Sequence, residues 1–321
     1  MKEENKMSLA PILMTPAYRY GSMTPWGGNA LGKIFGKDIP DERTGEILEV
    51  SAIPGLESKD PAGETLPALI EKYGEKLVGT CVSSPFPLLL KLLDARDTLS
   101  VQVHPDDSYS ARVEGKLGKT EAWHILAAEE GAELVYGVNA GVTKEELMAA
   151  SQEGAAVEKL LRKVKVKPGE TYFIPAGMVH AIGSGIVLYE IQQSSDVTYR
   201  FYDWERKDKN GNKRELHIQK AVDVTDVNAQ LEPAKEVELS KGHYQLLNEK
   251  YFTLERFENF DGVLPRDDRR FALLTAVKEA KLSWEGGEML LPAGCTAFLP
   301  ADGYDLHFEA ESALISYPTV Q

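Results

Sequence analysis

The chain has 321 residues, of which 43% are hydrophobic and 27% are charged, as is ordinary for a soluble globular protein. Its formal net charge of −14 argues against non-specific binding to nucleic acid or to an anionic membrane surface. An anionic small molecule can still bind where cationic side chains are concentrated locally. Because the length exceeds the usual size of one hydrophobic core, we expect a larger domain and a smaller one.

The N-terminal segment and the cysteines bear on the cell compartment. Residues 1–14 mix charges of both signs with only about six apolar residues in a row, too few for a secretory signal, and no later run is long enough to span a membrane. Cys81 and Cys295 lie far apart and match neither a disulfide framework nor a metal-binding spacing. We therefore expect a cytoplasmic protein.

Helix signals are few. Thr143 and Glu146 have the spacing of a capping box at the start of a long amphipathic segment. With the Thr, Pro and Gly signals at the ends of a second segment, the sequence predicts helices over 65–74, 143–164 and 215–224.

Strand signals are many. Short runs rich in β-branched and aromatic residues are bounded by Gly, Pro and Asp along the whole chain, and a polar turn is expected over 206–215. Many short strands with few helices favour a sandwich or a barrel. The predicted strands are 46–53, 99–104, 121–128, 170–176, 185–192, 197–204, 252–258, 270–277 and 313–318.

Two segments resemble each other within the chain. Residues 169–177 and 294–302 share Gly, Thr, Phe, Pro and Ala at five matching positions. Each pattern is typical of a glycine turn that leads into a strand ending at Pro-Ala, which indicates two similar β-domains. Because a charged, proline-containing stretch separates the strand-rich halves, we place the domains at 1–235 and 236–321.

Alternation along two predicted strands brings chemically useful side chains onto one face. Gln102 and His104 project together from a strand whose other face is apolar, roughly 7 Å apart along the chain. In the strand over 121–128, Glu121 shares a face with Trp123, whereas His124 points to the opposite face. Gln102, His104 and Glu121 are therefore candidates for one site.

A second histidine stands in a recognisable motif. The spacing Gly169-x5-Pro175-x-Gly177-x2-His180 resembles the second motif of the cupin superfamily, whose histidine binds a metal inside a β-barrel. The family's usual Asn is replaced by Ser184. The first cupin motif normally contains His-x-His and a Glu, and here Gln102-x-His104 and Glu121 take its place.

This combination resembles the type I mannose-6-phosphate isomerases, especially their short bacterial form. The resemblance implies a mostly β fold: a cupin-type jelly-roll barrel with a few helices, followed by a smaller, degenerate cupin-like β-domain. Segment 44–54 departs from the family in lacking an aromatic residue after its Gly-Glu pair. The resemblance runs through residues 25–33, 85–107, 118–126, 174–183, 189–206 and 214–224.

The resemblance implies one zinc ion per chain, held by Gln102, His104, Glu121 and His180. Two imidazoles and a carboxylate form an open ligand set that an amide oxygen and water can complete. The same donors suit Fe(II) or Mn(II), and the spacing alone does not choose among these metals. Outside a motif, a lone histidine at a strand end is more often a hydrogen-bonded structural residue.

Three further residues are implied to be catalytic. Asp196, Thr198 and Arg200 alternate onto one polar face of the strand over 197–204 and its approach. By resemblance, Arg200 is catalytic, and Asp196 and Lys119 are acid–base or positioning groups. The structural alternative is a surface salt bridge, which stabilises a protein by only about 0–1 kcal/mol.

The implied activity is the interconversion of mannose 6-phosphate and fructose 6-phosphate, so we expect a sugar phosphate as substrate and neither a nucleic acid nor a membrane as partner; the sequence leaves the oligomeric state open. Two alternatives stay open: a cupin oxygenase that uses iron, and a sugar-phosphate-binding protein without catalysis. At the position in the second repeat that corresponds to His180 stands Asp305. We therefore expect the C-terminal domain to lack a metal site.

Overall fold

The computed structural model describes residues 8–82, 85–208, 210–264 and 266–320. Its strands are joined into three antiparallel sheets, which confirms the mostly β class. The first, six-stranded, contains β2 (Ala17–Tyr20), β3 (Thr44–Val50), β4 (Leu88–Ala95), β6 (Glu121–Ala128), β9 (Thr171–Ile174) and β11 (Ile186–Gln193). The second, five-stranded, contains β5 (Val101–Val103), β7 (Glu133–Val138), β8 (Leu161–Lys165), β10 (His180–Ile182) and β12 (Tyr199–Tyr202).

These two sheets pack face to face. The strand order is β2-β3-β4-β11-β6-β9 in the six-stranded sheet and β12-β5-β10-β7-β8 in the five-stranded sheet. Trp123 and Tyr172 of the first sheet share a buried apolar cluster with Leu134, Tyr136 and Ile182 of the second. Side chains that alternate inward from both sheets therefore meet in one interior.

The third sheet carries the C-terminal part of the chain. It contains β1 (Ile12–Leu13), β13 (Val237–Ser240), β14 (His243–Asn248), β15 (Phe252–Val263), β16 (Ala272–Ala276), β17 (Ala280–Trp284), β18 (Gly287–Leu291), β19 (Thr296–Leu299) and β20 (His307–Pro318). Strand β1 pairs with β19, so the N-terminal end of the described chain is held by the C-terminal sheet.

One apolar cluster joins this nine-stranded sheet to the six-stranded sheet. Ile47 and Leu90 are buried in it together with Phe252 and Phe298. The division at residue 235 stays a prediction, because a shared core and the β1 crossover connect the two parts. Both repeat segments do turn at a glycine with positive φ, 90° at Gly169 and 74° at Gly294, and then enter β9 and β19.

The helices are short and lie between strands. A helix predicted over 143–164 is wrong in its second half: Thr143 and Glu146 form the expected capping box, but the helix ends at Gln152. Gly154 then adopts φ 73°, a left-handed conformation that glycine adopts without strain, and the chain continues as a 3-10 helix and β8. The helices are α1 (Ala30–Phe35), α2 (Leu66–Tyr73), α3 (Glu75–Val78), α4 (Asp107–Val113), α5 (Lys144–Gln152) and α6 (Ile218–Val224), with a 3-10 helix at Gly154–Leu160.

Helix α4 begins where the strand over 99–104 stops, and the sequence pattern had not predicted it. Asp106 caps it by accepting a hydrogen bond from the backbone of Tyr109 at 2.8 Å. Among the described residues, no helix combines the length and the apolar character that crossing a membrane requires.

Candidate metal centre and cleft

The five-stranded sheet arranges three polar residues in a row. In the β10-β5-β12 ladder, Gln102 lies opposite His180 on one side and opposite Arg200 on the other. Residues directly opposite on one face of a sheet have Cβ atoms about 4.5–5.5 Å apart. His104 follows β5 directly and adds a second imidazole beside this row.

The six-stranded sheet supplies the carboxylate. Glu121 is the first residue of β6, and its two carboxylate oxygens lie 3.4 Å from His180 Nε2 and 3.5 Å from His104 Nε2. The ring of Trp123, two residues further along β6, meets the His180 ring edge-on at 5.4 Å. The predicted convergence is therefore present: one potential ligand atom from each of these three residues lies within 4.8 Å of the others.

Both histidines present Nε2 to the centre. His104 Nδ1 is 2.9 Å from the carbonyl oxygen of Val197, and His180 Nδ1 is 2.8 Å from that of Met178. A carbonyl oxygen only accepts, so Nδ1 carries the proton and Nε2 carries the lone pair. Burial lowers the pKa of both rings, that of His180 to about 3, which keeps them neutral.

Glu121 is a buried carboxylate with an ammonium group beside one of its oxygens. Its side chain has no exposed surface, and neither oxygen accepts a well-directed hydrogen bond from the described residues. Burial raises the pKa of Glu121 to about 7 against the opposing effect of Lys119, whose Nζ lies 2.6 Å from one oxygen. A divalent ion at this point would stabilise the ionised form.

Gln102 borders the same centre. Its Nε2 is 3.3 Å from His180 Nε2, while its Oε1 accepts from Ser100 at 3.3 Å. A 180° rotation of the amide group would bring Oε1 to the centre, and Ser100 Oγ would then accept from Nε2. The residue can therefore present an oxygen as the fourth protein ligand.

These residues fit a divalent metal ion. Two neutral imidazole nitrogens with fixed tautomers and a fully buried carboxylate are donors that Zn²⁺, Fe²⁺ and Mn²⁺ accept. The carbonyl groups behind His104 and His180 are the outer partners that metal-bound histidines usually have. The donor set does not distinguish among these metals.

A cleft opens beside the centre. It has an empty volume of about 760 Å³, including solvent space, and both Gln102 and Lys119 line it. Five cationic and three anionic side chains line its walls, although the whole chain is strongly acidic. They are Arg19, Lys91, Lys119, Arg200, Arg214, Glu46, Glu190 and Asp196.

The three residues expected to be catalytic occupy different depths. Lys119 is buried, and its Nζ lies 2.9 Å from His104 Nε2. Arg200 lines the cleft, and its buried Nε donates to no acceptor among the described residues. Asp196 lies at the exposed rim, where it accepts a hydrogen bond from Lys116 at 2.7 Å. The structure thus brings Lys119 to the centre, and Asp196 only to the cleft mouth.

Sequence reasoning missed a buried ion pair in the cleft wall. Lys91 on β4 lies opposite Glu190 on β11, with Nζ and Oε1 3.0 Å apart, and Trp123 Nε1 donates to the second oxygen at 2.9 Å. Burial raises the pKa of Glu190, but Lys91 outweighs it and holds the pKa well below its usual value. The signal was present, since Lys91 and Glu190 each interrupt an apolar run of their strand.

Replacing Lys91 by methionine is expected to lower the free energy of unfolding by about 3–5 kcal/mol, because Glu190 then stays buried without its cation. Urea denaturation measures this change. The matched control is Lys72→Met, which removes an exposed ammonium paired with Glu64 and is expected to change stability very little. Equal effects of the two substitutions would contradict the assignment of Lys91 to a buried pair.

The other histidines lie elsewhere. His124 faces away from the centre, as the strand alternation predicts, and its Nδ1 is 2.9 Å from Thr171 Oγ1. His243 pairs with Glu255 in the C-terminal sheet at 2.7 Å, and His307 is an exposed partner of Asp261.

Comparison with known proteins places the chain in a family. The family model described as phosphomannose isomerase type I, catalytic domain, matches residues 18–154. A mannose-6-phosphate isomerase of Streptococcus mutans is 50% identical over 206 residues. The match covers 63% of this chain and 64% of that protein, which is less than two thirds of its length. A Bacillus subtilis protein named putative mannose-6-phosphate isomerase YvyI is 36% identical over 322 residues, and the match covers 96% of this chain and 99% of that protein.

A solved structure agrees along almost the same length. The crystal structure of a mannose 6-phosphate isomerase from Bacillus subtilis matches with a TM-score of 0.88 and 36% identity, covering 96% of this chain and 99% of that one. This likeness confirms the predicted cupin-type architecture. Because the similarity to the Bacillus subtilis relative extends over nearly all of both proteins, the chain belongs to the type I phosphomannose isomerase family.

Proposed function

We propose that this chain interconverts mannose 6-phosphate and fructose 6-phosphate with a divalent metal ion, zinc, held by Gln102, His104, Glu121 and His180. The observation that carries the proposal is the convergence of two Nε2 atoms and a fully buried carboxylate beside a cation-rich cleft. The reaction moves a proton from C2 to C1 of the aldose and a second proton from O2 to O1. Family membership makes this the reaction to test first.

A metal ion bound at this centre supplies Lewis-acid stabilisation of the negative charge that develops on the sugar oxygens. The chain's own contribution is to fix the ligands. The carbonyl groups of Val197 and Met178 hold the imidazoles of His104 and His180 in one tautomer and one orientation. This rigidity favours catalysis, because the ligands need no reorganisation as charge develops.

Lys119 and Arg200 act nearest to the reacting atoms. The ammonium of Lys119 lies beside His104 and Glu121, where it holds and moves a proton between the two sugar oxygens. Arg200 lies across the ladder from Gln102, and its unpartnered Nε is free to donate to a substrate oxygen. Asp196 assists as an ionised carboxylate: burial raises its pKa, but Lys116 outweighs this and lowers it.

Arg214 receives the phosphate at the outer end of the cleft. Its Nε and Nη2 donate to Asp203 at 2.7 and 2.6 Å, which fixes the guanidinium at the cleft wall. Burial lowers the pKa of Arg200, and repulsion by the nearby Arg214 guanidinium lowers it further. A phosphate dianion would relieve this repulsion through charge-assisted hydrogen bonds.

We also propose 1–235 as the catalytic domain and 236–321 as a smaller domain without a metal site of its own. Cys81 and Cys295 are both free, in keeping with the reducing cytoplasm that the sequence suggests.

The metal-replete protein is expected to form fructose 6-phosphate from mannose 6-phosphate in a coupled assay. Chelation should abolish this activity, and Zn²⁺ should restore it because the donor set contains two imidazoles. Mg²⁺, which prefers an all-oxygen shell, serves as the control and should not restore it. Absence of product from the metal-replete protein, or full activity after chelation, would refute the proposal.

A further inference from the structure

One turn of the C-terminal sheet reaches into the catalytic half. Residues 249–251 connect β14 to β15, and the Tyr251 hydroxyl donates to Asp107 Oδ2 at 2.7 Å. The turn is itself fixed, because Glu249 N donates to the Phe252 carbonyl oxygen at 3.0 Å and Thr319 Oγ1 donates to the Glu249 carbonyl oxygen at 2.6 Å. Tyr251 therefore extends from a well-fixed turn of the C-terminal sheet to Asp107 in the catalytic half.

Asp107 connects Tyr251 to two further residues, Gly118 and Gln193. Its second oxygen, Oδ1, accepts from Gly118 N and from Gln193 Nε2, both at 2.9 Å. Burial raises the pKa of Asp107, but the hydrogen bonds from Tyr251, Gly118 and Gln193 outweigh burial and lower it. The carboxylate is thus ionised, and hydrogen bonds to a charged acceptor are the stronger kind.

Gln193 extends the hydrogen-bond network to Thr120, the residue that follows Lys119. Its Oε1 accepts from Thr120 N at 2.9 Å, and its own backbone N donates to the Thr120 carbonyl oxygen at 3.0 Å. Lys119 N in turn donates to the Pro105 carbonyl oxygen at 2.9 Å. Three consecutive amides, 118 to 120, are therefore fixed, and two of them are fixed through Asp107 or its partner Gln193.

The close approach of this segment to Asp107 requires a glycine. A Cβ on Gly118 would lie 2.5 Å from the Asp106 carbonyl carbon and 2.5 Å from Asp107 N, closer than real atoms pack. The segment is thus built against α4, which begins at Asp107, and it leads directly into Glu121 at the start of β6.

We propose that Tyr251 is a positioning residue for the isomerase reaction, acting through Asp107 and Gln193 to fix the 118–120 backbone from which the Lys119 ammonium reaches the metal ligands. This inference depends on the proposed function. It gives the C-terminal sheet a role in catalysis although that sheet contributes no side chain to the metal centre. A displacement of about 1 Å in a reacting group can cost on the order of 10²-fold in rate, so a modest loosening of this segment is measurable.

The test compares two phenol-to-phenyl changes in the full-length protein. Tyr251→Phe removes the hydroxyl that contacts Asp107. The control is Tyr189→Phe, which removes a hydroxyl that lies 2.7 Å from Ser316 Oγ and so also connects the two halves. The Tyr189 hydroxyl makes no contact with residues 118–120 among its hydrogen bonds. Hydrogen–deuterium exchange of the peptide that contains 118–120 reports positioning. The kcat, KM and metal content of each variant report its consequence.

We expect Tyr251→Phe to speed exchange of these amides and to lower kcat about 10-fold, with KM and metal content close to wild type. Tyr189→Phe should leave both the exchange and kcat unchanged. In an Asp107→Asn background, Tyr251→Phe should have a much smaller effect, because the acceptor that transmits it is altered.

Unchanged exchange at 118–120, or faster exchange with unchanged kcat, would overturn the inference. So would equal losses in Tyr251→Phe and Tyr189→Phe, since that result indicates general destabilisation. If the wild-type protein forms no fructose 6-phosphate, the proposed function fails, and the exchange experiment alone then decides whether Tyr251 orders the segment.

Discussion

Replacing His180 by alanine is expected to remove the metal and the activity together. His180 supplies one of the two imidazole nitrogens that the described residues bring to the centre, and its ring meets Trp123 edge-on in a fully buried position. Loss of an outer partner of a metal ligand typically costs about 10–100-fold in affinity, so loss of a direct ligand should cost more than about 100-fold. Elemental analysis after dialysis measures the metal, and the coupled assay measures kcat.

The matched control is His307→Ala, which removes an exposed imidazole that pairs with Asp261 in the C-terminal sheet. It should retain about one metal ion per chain and full activity. Because a cavity at His180 also lowers stability, circular dichroism must show that His180→Ala is folded. A folded His180→Ala protein that keeps its metal would remove His180 from the ligand set and with it the proposed centre.

The proposed metal ligands were predictable because their positions follow from local rules. Strand alternation placed Glu121 and Trp123 on one face and His124 on the other, and the structure has that arrangement. The histidine at 180 was found by its spacing from two glycines and a proline. Such patterns can be recognised in a sequence because each involves residues only a few positions apart.

The contacts between residues far apart in sequence were not predictable in the same way. Lys91 and Glu190 are 99 positions apart, and only the strand register brings them opposite each other. Tyr251 and Asp107 are 144 positions apart and meet because two sheets share a core. The helix predicted over 143–164 failed for a local reason instead, since a glycine in the left-handed conformation ends it early.

The net charge of the whole chain did not predict the charge of the cleft. The chain is acidic overall, yet cationic side chains outnumber anionic ones along the cleft. Most of these cations are already paired with a carboxylate: Arg19 with Glu46, Lys91 with Glu190, and Arg214 with Asp203. Arg200 differs, because its buried Nε has no acceptor among the described residues. It is therefore the cation with most to gain from a bound substrate.

Arg200→Ala is accordingly expected to lower kcat/KM by about 10²–10³-fold while leaving the metal in place, because removal of one preorganised donor to developing charge costs about this much. Arg200 lies opposite Gln102 in the ladder but provides no metal ligand, so the centre should stay intact. Arg200→Lys keeps the charge without the planar guanidinium and should recover only part of the loss.

Steady-state kinetics with metal analysis distinguishes the roles of Arg200. If it acts on the reacting oxygens, kcat falls with little change in KM; if it holds the phosphate, KM rises while kcat is kept. The control, Arg96→Ala, removes an exposed guanidinium paired with Asp97 and should change neither parameter. Loss of metal in Arg200→Ala would assign the residue to the integrity of the centre, and wild-type kinetics would exclude it from the reaction.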